Sequence, residues 1–168
     1  MANVQGAVIA TPQGVPWYIG PDAPAINNIN PVLALGTIVV ASNGNIYRYC
    51  QAGDAWTVVD GALIQSSSTT GFRLSPSGTT ATGEQLGGVV VNAVTDEYFG
   101  WALVYGKVAA MTCAALKAIT AQLAIVCCTT AARMENYAAA THTAAGPGGV
   151  AEASIAADAA GVITALAF

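Results

Sequence analysis

Apolar and polar residues alternate over short spans separated by Gly, Asn, Asp and Ser, a spacing that predicts strands rather than helices through most of the chain. Leu35 to Ala41 is a β-branched run containing Thr37, Ile38, Val39 and Val40. Ser42-Asn43-Gly44-Asn45 follows, and Asn-Gly tolerates the positive φ of a tight hairpin turn. The expected return strand, Ile46 to Cys50, sets Ile46, Arg48 and Cys50 on one face and Tyr47 and Tyr49 on the other. Ala52-Gly53-Asp54 turns the chain into a short strand, Trp56 to Val59, and after Asp60-Gly61 comes another, Ala62 to Gln65. Residues 66–85 are Ser, Thr and Gly with Pro76 and predict a long loop, pinned to the core by Phe72 and Leu74. Gly87-Gly88 precedes a buried strand at Val89 to Val91, and Thr95-Asp96-Glu97 makes the next turn. Tyr98 to Gly106 is an aromatic strand ended by Gly106-Lys107, with Phe99, Trp101 and Tyr105 on one face. Gly161 to Phe168 alternates again and predicts a closing strand.

Two stretches depart from this pattern. Residues 1–31 hold five of the 7 prolines, at 12, 16, 21, 24 and 31. Proline lacks an amide donor and fixes φ, which argues against a helix or a central strand. The segment is expected to be an extended arm with Trp17, Tyr18 and Ile19 as apolar anchors, and residues 32–168 to form a β-rich domain. From Val108 to Cys128, Val108, Met111, Ala115, Ile119, Leu123 and Val126 fall near helical spacing, while Leu123, Ile125 and Cys127 suit a strand equally. A short helix in this Ala-rich region therefore stays open beside the strand. Gly146-Pro147-Gly148-Gly149 marks a loop.

Composition changes the picture in one respect. Only 8% of residues are charged, with 5 Lys+Arg and 9 Asp+Glu, while 54% are hydrophobic. A lone soluble domain carries roughly 25% charge, so part of this surface is expected to be covered. A bilayer is one cover, and 108–128 has the length to span it. Lys117 at its centre costs about 2.5–3.5 kcal/mol on insertion scales, so neighbouring protein subunits are the better expectation. The five basic residues, Arg48, Arg73, Lys107, Lys117 and Arg133, are scattered, which argues against nucleic acid, since phosphate binding needs a basic face. No basic residue precedes Arg48, unlike the charged start of a secretion signal. Cys50, Cys113, Cys127 and Cys128 lack metal-type spacing and read as buried thiols of a protein assembled in a cytoplasm.

Reactive constellations are sparse. His142 is the one histidine, and nothing in the sequence sets it beside Cys113, Cys127 or Cys128 with an orienting third group. Asp54, Asp60, Asp96 and Glu97 flank strands as turn residues. Residues 83–88, GEQLGG, lack the Lys-Ser/Thr of a phosphate loop. No catalytic, cofactor-binding or metal-ligating residue is expected, and the chain is not read as an enzyme. The aromatics Tyr98, Phe99, Trp101 and Tyr105 suit core packing or a subunit interface, with a sugar-stacking platform as the alternative.

The order of motifs resembles that of tailed-bacteriophage head decoration, or cement, proteins. Residues 44–61, GNIYRYCQAGDAWTVVDG, are similar to that group's glycine turn, Tyr-Arg-Tyr-like strand, Ala-Gly turn and second short strand. Residues 87–108, GGVVVNAVTDEYFGWALVYGKV, resemble its valine strand, turn and Tyr-x-Gly-Trp strand, and the AGVITA within 159–165 is of the same type. The resemblance covers about a third of the chain; the Pro-rich arm and the alanine-rich 108–160 depart from it. It implies a β-barrel or β-sandwich on the outside of a capsid, clamping neighbouring major capsid subunits, often as a homotrimer, without cofactor or membrane. On this reading the interface residues are Trp17, Tyr18, Ile19, Tyr98, Phe99 and Trp101. The alternative is a tail or fibre adhesin that binds glycan through surface aromatics.

Overall fold

The computed structural model describes residues 8–10, 16–18, 26–57, 62–65, 72–76, 85–112, 118–122, 124–127, 134–136, 149–151, 154–156 and 160–165. These residues are mainly β, with no helix among them. The strands are β1 (Val8–Ala10), β2 (Pro16–Tyr18), β3 (Ile38–Ala41), β4 (Ile46–Ala52), β5 (Ala62–Gln65), β6 (Arg73–Pro76), β7 (Gln85–Val90), β8 (Phe99–Thr112), β9 (Ala124–Cys127), β10 (Met134–Asn136), β11 (Gly149–Ala151) and β12 (Ala160–Ala165).

The expected Asn-Gly hairpin is present. β3 and β4 pair antiparallel, Ile38 with Arg48 and Val40 with Ile46. Gly44 takes φ +86°, and the Ala41 amide donates to the Asn45 carbonyl at 2.8 Å. β4 is paired on both edges. One edge meets β8 from Ile46–Tyr105 to Gln51–Phe99; the other meets β3 and then, in parallel, β6 at Gln51–Arg73 and Ala52–Leu74. β6 continues to β5, β5 to β7, and β7 back to β8 at Val89–Leu103 and Val90–Ala102. Beyond Tyr105, β8 pairs with β12, which leads to β11, β9 and β10. The strand order runs from β1 to β10 with those two strands as its free ends.

The core explains these pairings. Cys50, Ala52, Trp56, Leu63, Leu74, Val90, Val94 and Ala102 form one buried cluster, with Phe72 and Tyr98 packed against it. Burying each Val or Leu side chain contributes about 1.5–3 kcal/mol. The opposite face of β4 and β8 is buried too, through Tyr47, Tyr49, Phe99, Trp101 and Leu103. Phe99 to Val104 is therefore covered on both sides, and strict alternation of exposure disappears.

Several expectations need correction. The stretch 66–85 is not an uninterrupted loop: β6 lies inside it, because Leu74 reaches the core and its backbone finds partners on β4 and β5; Phe72 and Leu74 do pin it. The expected strand at 56–59 reduces, among its described residues, to a Trp56–Val94 bridge. β8 does not end at Gly106-Lys107 but continues to Thr112, since β12 supplies a new partner there. In the Ala-rich region the described residues are strand, bridge and turn, not helix. Within residues 1–31, β1 pairs with β2, and β2 pairs in parallel with β3; Pro16 opens β2, where a missing amide costs the sheet least.

Candidate binding surface

The residues expected at an interface separate into three groups. Phe99 and Trp101 are buried inside the chain. The Tyr49 ring stacks on Phe99 with centroids 6.1 Å apart and tilts against Trp101 at 5.3 Å. Intramolecular packing occupies these rings and leaves no face for a partner or a sugar. Tyr98 is half-buried against the core cluster. Trp17 and Tyr18 lie in β2, known here by backbone pairing, and Ile19 lies outside the described residues. Tyr105, expected on one face with Phe99 and Trp101, is instead 46% exposed: the β4–β8 register shifts by one residue between Leu103, opposite Tyr47, and Tyr105, opposite Ile46, and such a bulge turns the following side chain to the other face.

The accessible apolar surface lies elsewhere, on the segment from Ile26 into β3. Its backbone is held down at successive points. Asn27 and Thr95 exchange two hydrogen bonds, 3.1 Å and 3.0 Å. Asn28 bridges Phe99, whose amide donates to the Asn28 carbonyl at 2.9 Å. The Val32 amide donates to the Tyr49 hydroxyl at 3.2 Å, and the Gly36 amide to the Tyr49 carbonyl at 2.8 Å. Gly36 has φ +83° and faces the Phe72 ring so closely that a Cβ would overlap it. Pinned from beneath, the segment shows its side chains to solvent: Ile29 is 63% and Val32 55% exposed, and Leu33, Leu35 and Ile38 are exposed as well. Residues 23–47 carry no charged side chain between Asp22 and Arg48. That uncharged run was visible in the sequence, but Leu35 and Ile38 read there as ordinary strand residues.

The charged groups lie on the neighbouring strands and turns, and Arg48 stands directly opposite Ile38. Glu97, at φ 62° in its turn, is ion-paired with Arg73 and accepts a hydrogen bond from Gln51 Nε2 at 3.1 Å. Glu97 is exposed and Arg73 half-buried, so water still screens the pair and it adds about 0–1 kcal/mol. The Arg48 guanidinium lies 5.4 Å over the Phe72 ring. Burial pushes the Cys50 thiol up to about 12, against a smaller lowering by Arg48, so it is protonated at neutral pH and a poor nucleophile. Asp54 and Asp96 are exposed turn residues. His142, Cys113, Cys128, Asp60 and Lys117 lie outside the described residues, and Cys127 is placed only as a position in β9. Among the described residues no His, Cys, Asp and Glu group is arranged to hold a metal ion, and no helix is long and apolar enough to cross a membrane. Comparison with protein families, with curated proteins and with solved structures gives no match.

Proposed function

We propose that this protein is a structural virion component that binds the outer surface of a tailed-phage capsid and cements neighbouring major capsid subunits, acting as a homo-oligomer, most simply a trimer. The observation that carries the reading is the exposed, uncharged ridge of Ile29, Val32, Leu33, Leu35 and Ile38 on a firmly pinned backbone. Soluble monomers rarely expose contiguous apolar patches larger than a few hundred Å², and here five large apolar side chains within residues 29–38 are exposed. A rigid patch also loses little conformational entropy on docking. Each apolar contact contributes on the order of 25 cal/mol per Å² before those costs, and a shell repeats the contact many times, so avidity strengthens it. The motif resemblance at 44–61 and 87–108 supports the same reading. We read the run of pairings β4–β6–β5–β7–β8 and back to β4 as a small barrel from which the ridge projects. Of the four aromatics weighed for the adhesin alternative, burial of Phe99 and Trp101 leaves only Tyr98 and Tyr105 with accessible ring surface.

Quantitative mass spectrometry of purified particles tests the proposal. Hundreds of copies per particle are expected. A dozen or fewer would assign the protein to the tail or portal, and its absence from particles would end the virion reading.

A further inference from the structure

β8 is the one described strand that belongs to two sets of pairings. Up to Tyr105 it pairs with β4 and β7; from Gly106 it pairs with β12, and β9 to β12 pair only with one another and with β8. The handover falls between Tyr105 and Gly106, and Gly106 adopts φ +126°, a conformation that side chains rarely take. Among the described strands the chain passes from the first set to the second at this single peptide. One crossing leaves the backbone torsions of Gly106 as a joint unless something else spans it.

Asn45 spans it. The Lys107 amide donates to Asn45 Oδ1 at 2.9 Å, and Asn45 Nδ2 donates to the Lys107 carbonyl at 3.3 Å. The side-chain amide thereby continues the β4–β8 ladder past its last backbone pair, Ile46–Tyr105. Its own position is fixed by the hairpin: the Asn45 amide donates to Asn43 Oδ1 at 2.9 Å, and Nδ2 also reaches the Tyr47 hydroxyl at 3.1 Å. Glycine at 106 is required on both counts, for φ and because a Cβ would sit 2.8 Å from Asn45 Cγ.

We propose that Asn45 is a latch across a Gly106 hinge, and that it sets the orientation of the β9–β12 unit relative to the β3–β8 unit. With the latch closed the two units behave as one body. With it open, the second unit reorients about residue 106 while each unit keeps its own pairings. Both latch bonds are at the surface, where water competes for them, so the latch opens far more readily than either unit unfolds.

Asn45→Ala removes the clip and leaves the hairpin's backbone bonds in place. Hydrogen exchange and residual dipolar couplings on the full chain read the result. Exchange at the Lys107 amide should rise about tenfold, the loss of two modest hydrogen bonds, while the Tyr49 and Ala52 amides, bonded to Thr37 and Tyr98, stay protected. Couplings from β4 and from β12 should then need two alignment tensors where the native chain needs one. Gly106→Ala, which evicts the clip from the other side, should behave alike. Asn45→Asp, which keeps an acceptor for Lys107, should fall between. A single tensor in the variants, or protection lost evenly across both units, would overturn the latch.

Discussion

Trp56 is where the packing argument is most exposed to test. The ring is almost fully buried in the central cluster, its backbone exchanges hydrogen bonds of 2.8 and 3.1 Å with Val94, and its indole N–H donates to the Leu74 carbonyl at 3.0 Å. One residue thus ties the segment after β4 to β6 and to the turn before β8. Trp56→Ala removes the buried ring and leaves a cavity, which costs about 3–5 kcal/mol. Trp56→Phe keeps most of the apolar surface and loses the N–H. The Leu74 carbonyl still accepts the Gly53 amide at 2.8 Å, so its loss is partial and sits near the low end of about 1–3 kcal/mol for an abandoned buried acceptor. Urea unfolding followed by circular dichroism should therefore order the variants wild type, Phe, Ala at unchanged slope, with the Phe variant about 1–2 kcal/mol down. A cost below about 1 kcal/mol for Trp56→Ala would mean the ring is not in the core. A Phe variant as stable as wild type would refute the hydrogen bond alone.

The Cys50 thiol gives a pH signature. Its folded value, raised from 9.0 to about 12 by burial, means the unfolded chain loses this proton first. Stability from this group is intact below pH 9 and falls by about 1.4 kcal/mol per unit as pH rises towards 12; Cys50→Ala should flatten that slope in alkaline denaturation. The same burial predicts that Cys50 resists thiol reagents at pH 8 until the chain unfolds, as peptide mapping after alkylation would show. Gly36→Ala should destabilise by about 1–2 kcal/mol from φ and about 1–3 kcal/mol from overlap with Phe72, measured by thermal melts; a neutral result would dispose of the Phe72 contact. Val32→Asp with Leu33→Asp should leave stability within about 0.5 kcal/mol, as for exposed sites, yet abolish occupancy on decoration-free shells; retained occupancy would exclude the ridge. Deleting residues 1–24 removes β1 and β2 from the sheet end and should lower shell occupancy along a temperature ramp, while equal occupancy would make the arm dispensable.

The β3–β4 hairpin was legible because its determinants are local: β-branched residues, Asn-Gly at the turn and aromatic alternation beyond it. The turn at Thr95 to Glu97 and the closing strand β12 were legible for the same reason. The Ser/Thr/Gly stretch hid β6, because Leu74 is one apolar residue among polar ones and its strand exists only through partners on β4 and β5. Gly106 signalled a strand end, yet β12 arrives from more than fifty residues downstream to carry β8 onward.

The binding surface shows the same division. Aromatic residues marked a place rich in apolar contact, and Phe99 and Trp101 are such a place, but turned inward. Sequence by itself determined the mainly β character, the tight turns and the shortage of charge, since these depend on residue types and short spacings. Tertiary structure decided which apolar residues are core and which are ridge. Exposure of Ile29 or Val32 depends on whether a distant strand covers them, and here Phe99 and Tyr49 hold that backbone from beneath while the side chains face outward.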